Sequence, residues 1–265
     1  MSGIAGINIG PEFVSGSDRL SSAAKALRPG RCGLAWRDFN VTAAQLDSAY
    51  GRYFDCKANL ANGTGTQATA GTGAYIADLD VGGYSVLEVD SASDQNGQGY
   101  QIQWKGAGVY PEEGMTVYGH ARLRFMDIAT GPEFFAGLAT IDTTLIASDA
   151  MSASDWIGFL SLSGGTIKFG VDDGTEDLSD SAIHTMVDGV STTDGTEIVD
   201  LDFRWEVGST LEVYVNGVLA DITGIDLGNE PDDGFIVPSV VCQSNTTTDP
   251  ILHVLEFEVG YKYPS

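Results

Sequence analysis

The chain of 265 residues carries 13 basic and 37 acidic side chains, a formal net charge of −24 at pH 7. This charge repels phosphate backbones and anionic headgroups, so we expect no nucleic-acid partner and no membrane partner. An apolar content of 43% excludes a disordered acidic chain. No apolar run reaches the roughly 18 residues of a membrane helix, and residues 1–6 lack the pattern of a secretory signal. We therefore expect synthesis in a cytoplasm.

The charge is divided unevenly along the chain. Residues 1–57 hold seven basic and five acidic groups, a net of +2, whereas the remaining 208 residues hold six basic and 32 acidic groups, a net of −26. Residues 59–73 are uncharged and rich in glycine, threonine and alanine, a composition typical of a flexible linker. The sequence therefore predicts an N-terminal arm and linker over residues 1–74 and a folded domain over residues 75–265.

Two short helices are predicted in the arm. Ser17 is placed to cap the first, in which the apolar residues from Leu20 to Leu27 recur at helical spacing before a Pro-Gly pair. Thr42 is placed to cap the second, which runs to about Tyr50. Helices shorter than about 12 residues are marginal in water. The arm therefore needs a surface to lie on, either its own domain or another protein.

From residue 75 onward the pattern is that of β-strands, with short β-branched and aromatic runs separated by glycine or aspartate. Alternation is clean in residues 199–205 and 211–215, and Asn216-Gly217 is typical of a two-residue hairpin turn. The eleven predicted strands span residues 84–89, 100–104, 116–125, 134–141, 156–162, 166–171, 182–187, 198–207, 210–215, 235–242 and 251–261. They indicate an all-β fold, an antiparallel two-sheet jelly-roll sandwich preceded by an arm with short helices.

Two groups of segments carry a family resemblance. Phe-Arg-Trp-Glu-Val at 203–207, Ser-Thr-Leu-Glu-Val-Tyr-Val-Asn-Gly at 209–217 and a final strand at 253–259 resemble the C-terminal half of concanavalin A-like sandwich domains. The segments at 134–144 and 154–159 are similar to sandwich proteins encoded among the virion structural genes of tailed bacteriophages.

The resemblance implies a capsid decoration, or cement, protein that binds the outside of the head shell. It implies the major capsid protein and further copies of this chain, in a homotrimer, as partners, and the outer surface of the virion as the location after synthesis in the host cytoplasm. The wider superfamily includes lectins and glycoside hydrolases. The alternative is therefore a glycan-binding module on the virion surface or tail that binds a host surface glycan.

The arm is the predicted contact with the capsid. Its leucines would supply the apolar contact and its arginines would meet acidic patches of the shell. The predicted contact residues are Arg19, Leu20, Leu27, Arg28, Arg31 and Arg37.

Enzymatic chemistry is not expected. Glycosidases of this superfamily carry Glu-x-Asp-x-Glu or Glu-x-Asp-x-x-Glu, because retaining hydrolysis needs two carboxyl groups about 5 Å apart. The candidate segment begins with Glu88 and Asp90, but Ala92 and Ser93 stand where the second glutamate belongs. The three histidines lie in separate predicted strands, and no Gly-x-Ser-x-Gly motif accompanies them.

Metal and sugar sites remain as weaker hypotheses. The loop residues Asp172, Asp173, Glu176 and Asp177 offer oxygen ligands that Ca²⁺ accepts, although their spacing is not that of an EF-hand, and a solvated acidic loop is the alternative. No other cofactor is expected. For glycan contact, Trp36 and Trp156 are the candidate aromatic platforms. The alternative for tryptophans in predicted strands, Trp156 included, is packing in the core.

Overall fold

The computed structural model describes residues 51–56, 64–67, 74–81, 84–90, 98–126, 132–162, 165–186, 198–232, 234–244 and 250–263. These residues form two large antiparallel sheets and one small hairpin. Within this part of the chain the helical segments are the 3-10 turns Lys105–Ala107 and Leu227–Asn229. No helix among these residues is long and apolar enough to cross a membrane.

Sheet A has eight strands. The strand order is β16 (Val218–Leu219), β15 (Thr210–Val215), β14 (Val199–Glu206), β6 (Thr116–Met126), β18 (Ile251–Lys262), β4 (Tyr84–Asp90) and β3 (Ala74–Val81), with β1 (Gly51–Asp55) also paired to β18. One edge of β18 thus pairs with β4 through residues 251–254 and with β1 through residues 258–262.

Sheet B also has eight strands. The order is β12 (Asp177–Leu178), β11 (Thr166–Asp173), β10 (Asp155–Ser161), β7 (Glu133–Thr140), β17 (Ile236–Gln243), β5 (Gly99–Gln103) and β2 (Thr64–Gln67), with β13 (His184–Thr185) also paired to β11. Between β7 and β10 the chain forms a small hairpin of β8 (Ile146–Ala147) and β9 (Ala150–Met151).

The apolar faces of the two sheets meet in the main core. Alternation along β14 shows how the sequence produces this arrangement, because Leu201, Phe203 and Trp205 join the core while Asp202 and Arg204 lie on the other face. Phe203 contacts Phe159 and Phe169 of sheet B at ring-centroid distances of 6.2 and 5.6 Å. Aromatic contacts across the sandwich therefore join the two sheets.

A second, smaller apolar cluster lies on the outer side of sheet B. Phe135 and Trp156 meet edge to face at 5.8 Å, and Leu145 and Ile146 from the β7–β10 connection pack with them. Gly158 and its register partner Gly137 make room for the Phe135 ring. A Cβ atom on Gly158 would lie only 2.9 Å from this ring. The connection thus covers this part of the outer face.

The structure confirms the predicted two-sheet sandwich. Each of the eleven predicted strands corresponds to an observed strand, although only His184–Thr185 remains of the strand predicted at 182–187. Asn216 and Gly217 have φ angles of 48° and 86°, as the predicted turn requires.

The sheets begin earlier in the chain than the predicted boundary at residue 75. Strand β1 pairs with β18, and β2 pairs with β5 at the edge of sheet B. Both strands lie in the segment that the sequence assigns to the arm and linker. Strand β2 is included there because its short Thr-Gly-Thr-Gln sequence has the composition of a linker. The two predicted helices of the arm lie outside the described residues.

Candidate functional site

A row of exposed apolar side chains lies at one end of sheet B, where β7 ends and β17 begins. Ile236 pairs with Thr140 of β7 and forms an isolated bridge with Val109. The residues one step beyond these pairs are Ile141, Phe235 and Tyr110, with exposed fractions of 47%, 44% and 50%. We call these three residues the aromatic rim. Because the pairing aligns three chain segments, residues distant in sequence lie next to one another at this end of the sheet.

Glycine fixes the position of one ring in the aromatic rim. A Cβ atom on Gly108 would lie 2.3 Å from Cζ of Phe235, so the ring packs directly against the Gly108 backbone. A side chain at position 108 would displace it. The Phe235 ring is therefore held in place by the chain that leads to Tyr110.

Polar groups lie beside the aromatic rim, at the start of β10. The Asp155 carboxylate accepts a hydrogen bond of 2.7 Å from the Ser154 hydroxyl, and this hydroxyl lies 3.5 Å from that of Thr140. A Cβ atom on Gly234, the residue before Phe235, would lie 2.6 Å from Oδ2 of Asp155. One carboxylate and two hydroxyls thus flank the row of apolar side chains.

The acidic loop reaches the same end of sheet B, since Asp173 is the register partner of Asp155. Burial raises the pKa of Asp172, and the nearby charge of Asp155 raises it further. Hydrogen bonds donated by the Trp156 indole and by backbone amides of the loop oppose this rise. Burial and the Asp172 charge also raise the pKa of Glu176.

Two of the four predicted calcium ligands, Asp172 and Asp177, accept hydrogen bonds within the fold. Asp172 accepts the Trp156 hydrogen bond at 3.2 Å, and Asp177 accepts a hydrogen bond of 2.7 Å from the Asn229 side chain. Within the described ranges no group of three or more His, Cys, Asp or Glu side chains is arranged to hold a metal ion.

Trp156 does not present its ring to solvent. It is fully buried in the outer cluster of sheet B, and its indole nitrogen is bonded to Asp172. Core packing, the alternative for this residue, is what the structure shows. Trp36, the other predicted glycan contact, lies outside the described residues. So do the six predicted capsid-contact residues, which are Arg19, Leu20, Leu27, Arg28, Arg31 and Arg37.

A different polar cluster surrounds His120 on the face of sheet A that points away from sheet B. His120 is buried, with Nδ1 2.8 Å from Oδ1 of Asp202 and Nε2 3.3 Å from Oε2 of Glu256. Burial opposes protonation of the imidazole, but the charges and hydrogen bonds of these carboxylates, with the charge of Glu258, raise its pKa well above the ordinary value.

This cluster is not arranged for nucleophilic catalysis. A histidine that acts as a base uses one ring nitrogen to bind an orienting carboxylate and the other to accept a proton from the nucleophile. In His120 both nitrogens face carboxylates. Glu88, from the segment compared with the glycosidase motif, lies 2.9 Å from His253 Nε2. The cluster therefore has the chemistry of a structural ion network.

The molecule also has an open apolar depression of about 380 Å³ at the far edge of sheet A. Leu211, Ile222 and Ile225 contribute to its lining. Asp221 lies there too, but its carboxylate accepts hydrogen bonds from the amide and hydroxyl of Thr223. The depression has no aromatic lining residue, so the aromatic rim is the better candidate for binding a polar ring compound.

Comparison with known proteins supports the fold. No protein-family model and no curated protein sequence matches the chain. Peanut lectin, in a structure with a nine-residue peptide, matches with a TM-score of 0.55 and 10% identity over 82% of this chain and all of the lectin. A lectin from Bauhinia forficata in complex with GalNAc gives 0.50 and 9% over 81% of this chain and 100% of its own.

The globular domain of T. cruzi calreticulin gives a TM-score of 0.50 and 10% identity over 78% of this chain and 86% of that domain. At these identities the matches concern the fold alone. The chain therefore has a concanavalin A-like sandwich fold, as its sequence predicts.

Proposed function

We propose that this chain is a carbohydrate-binding protein without catalytic activity and that the aromatic rim is its binding site. The observation that carries the proposal is the row of exposed Tyr110, Phe235 and Ile141 next to Asp155, which is itself only 5% exposed. Two of the similar structures are lectins, and one of them is in complex with GalNAc. These similarities support a sugar as the class of ligand.

The chemistry of the aromatic rim suits a sugar ring. The C–H faces of a pyranose pack on an aromatic ring, while its hydroxyls need acceptors such as carboxylates and donors such as serine or threonine. Phe235 supplies the ring, Asp155 the acceptor, and Ser154 and Thr140 the hydroxyls. A partly exposed surface of this kind can orient a sugar ring.

Replacing Phe235 by alanine is expected to weaken glycan binding at least tenfold, because a stacked ring contributes about 1 kcal/mol or more beyond its buried area. Asp155→Asn should weaken it by a similar factor through the loss of a charged acceptor. Affinity is measured by calorimetry for the sugar class that a glycan array identifies with the unmodified protein.

Two controls accompany these variants. Trp156→Phe alters a buried aromatic residue, and Val218→Ala alters an apolar residue that is 70% exposed on the distant strand β16. Both should bind sugar like the unmodified protein. No saturable binding on the array, or equal affinity for all four variants, would disprove a glycan site at the aromatic rim.

Capsid decoration is the second candidate function. It is favoured by the sequence resemblance and by the acidic domain, whose charge would keep particles soluble and mutually repelling on the outer surface of a virion. A trimer that binds only the assembled shell would stabilise it by mass action and avidity, with the major capsid protein as partner. A glycan site is compatible with this location.

The decoration function predicts stoichiometric binding to mature phage heads. Purified protein should saturate heads that lack it and should raise the temperature at which they release DNA, since a ligand specific for the intact shell stabilises that state. Electron microscopy would count the added copies, with tails alone as the control sample. Labelling of tails, or no saturable labelling of either sample, would refute this second function.

A further inference from the structure

The aromatic rim continues onto β10, the next strand of sheet B. Trp156 of β10 is the register partner of Ala139 of β7, so Ser154, two residues before Trp156, lies beside Ile141 at the end of these strands. Ser154 is exposed, like the residues of the aromatic rim. We call the four residues together the strand-end row, which consists of Tyr110, Phe235, Ile141 and Ser154.

The strand-end row has the spacing of the strands. Each of its residues belongs to a different one of four neighbouring chain segments. Adjacent strands lie about 4.8 Å apart, so the row is roughly 14 Å long. The units of an extended sugar chain, such as a β-1,4-linked glucan, advance by nearly the same distance. The row therefore offers one contact to each successive unit of such a chain.

Buried glutamines fix the backbone of the row at Ile141. Gln103 is 3% exposed, and its Nε2 donates a hydrogen bond of 3.1 Å to the carbonyl of Thr140, while its Oε1 accepts one of 3.0 Å from the amide of Asp142. These groups belong to the two peptide bonds of Ile141. Gln101, also buried, donates a further hydrogen bond of 2.7 Å to the carbonyl of Asp142.

The row is consequently ordered before a ligand binds. Gln103 holds Ile141 from within the sheet, and the Gly108 backbone supports the Phe235 ring. A ligand therefore does not have to order these two contacts, and less binding free energy is lost on their immobilisation.

The chemistry of the row suits an extended chain. Its three apolar side chains can pack on the C–H faces of sugar rings. Successive units of a β-1,4-linked chain are turned over, but both faces of each ring carry C–H groups, so every unit can pack in the same way. At one end, the Ser154 hydroxyl donates to Asp155, and its oxygen remains an acceptor for a sugar hydroxyl.

The charge around the row favours an uncharged chain. Glu112 and Glu113 are exposed and follow Tyr110 closely in sequence, and Asp173 lies beyond Ser154 as the register partner of Asp155. Residues 58–265 carry a net charge of −26. Sugar chains with carboxylate or sulfate groups would therefore be repelled.

We infer that the ligand is an uncharged, extended oligosaccharide with β-1,4 linkages, which lies across the strand-end row with one sugar unit on each residue of the row. This inference rests on the proposed glycan site and specifies its ligand. It also gives the site a length of four units.

Titration calorimetry with chains of defined length tests the inference. The probes are oligomers of β-1,4-linked glucose and of β-1,4-linked N-acetylglucosamine, from one to six units long. Affinity is expected to rise at least about tenfold from one to four units and then to level off, because each added unit joins a ligand that is already bound.

Two matched four-unit chains examine shape and charge. Maltotetraose contains the same glucose units as cellotetraose, but its α-1,4 linkages curve the chain. A tetramer of β-1,4-linked mannuronate has the extended shape but is anionic. Each is expected to bind at least about tenfold more weakly than the tighter of the two uncharged β-1,4-linked tetramers.

Variants at the two ends of the row examine its length. Tyr110→Ala and Ser154→Ala each remove one terminal contact, so the chain length at which affinity levels off should fall from four units to three. Tetramer affinity should fall about threefold or more in each variant. Val218→Ala, on the distant strand β16, is the control and should keep the limit of four units. Equal melting temperatures would show that the variants remain folded.

The outcomes separate this inference from the proposed function. Equal affinity for one-unit and four-unit chains, or stronger binding of maltotetraose or the mannuronate tetramer, would overturn the extended ligand but leave a glycan site at the aromatic rim. The same holds if another sugar binds in a Phe235-dependent manner and the β-1,4-linked chains do not. An unchanged length limit in both end variants would place the chain elsewhere. No saturable binding of any sugar would overturn both.

Discussion

Replacement of His120 by alanine is expected to destabilise the protein by about 3–5 kcal/mol, because it leaves the fully buried carboxylate of Asp202 without its positive partner. The imidazole lies between Asp202 and Glu256, and both carboxylates favour its charged form. The free energy of unfolding, measured with urea at pH 6, checks the size of the loss.

The pH dependence of the His120 contribution has a definite sign. Its pKa in the folded protein lies well above the value of about 6.5 for an unperturbed histidine, despite the opposing effect of burial. The stabilisation is therefore complete below about pH 6.5 and is lost as the pH rises through the folded pKa. The difference between the two proteins should be largest at pH 6 and smaller in alkaline solution.

A double variant separates charge from packing. Asp202→Asn in the His120→Ala protein removes the uncompensated charge and should recover part of the lost stability, which a double-mutant cycle measures. If the single variant loses less than about 1 kcal/mol, or if Asp202→Asn makes it worse, His120 is not the cation that neutralises this site.

The sequence predicts those parts of the fold that local patterns determine. Alternation in β14 identifies the buried face of that strand, and Asn216-Gly217 identifies the turn between β15 and β16; the structure shows both. Each signal lies within a few residues, so no knowledge of distant contacts is required. Strand β2 is not predicted, because four small or polar residues form a strand only when β5 provides a partner.

The candidate site could not be predicted in the same way. Tyr110, Ile141 and Phe235 come from three segments up to 125 residues apart, and only the register of β17 with its neighbours aligns them. The sequence analysis selects tryptophans as glycan contacts instead, yet Trp156 is buried. Its place on a strand already favoured the core. Exposed aromatic residues at strand ends would have been the better signal.

The same limit applies to the ion network. His120 and His253 lie in separate strands in the sequence, as predicted, but β6 and β18 are neighbours in sheet A. Strand order is a long-range property that the order of the chain does not specify. The carboxylates around His120 therefore have no signature in the sequence beyond their alternation.

Replacement of Glu133 by glutamine is expected to stabilise the protein in alkaline solution by a few kcal/mol. Glu133 is 1% exposed at the start of β7, where the Gln243 side-chain amide donates a hydrogen bond to it. Burial, with a hydrogen bond to Asp149 and its charge, raises the pKa of Glu133 to about 8, although the Gln243 hydrogen bond opposes the rise.

The sign follows from proton binding. Between about pH 4.5 and 8 the folded protein retains a proton on Glu133 that the unfolded chain releases. Stability therefore falls as the pH rises through this window, by at most about 1.4 kcal/mol for each pH unit from this group. Glutamine has nearly the same shape and stays neutral, so the variant lacks this decline.

Urea unfolding at pH 5, 7 and 9 tests the expectation. The Glu133→Gln protein should match the unmodified protein at pH 5 and exceed its stability increasingly at pH 7 and 9. Glu112→Gln, which makes the same change in charge at an exposed loop residue, is the control. Its free energy of unfolding should stay within about 0.5 kcal/mol of that of the unmodified protein at all three pH values. Parallel curves for the two variants would mean that the Glu133 carboxyl is ionised in the folded protein.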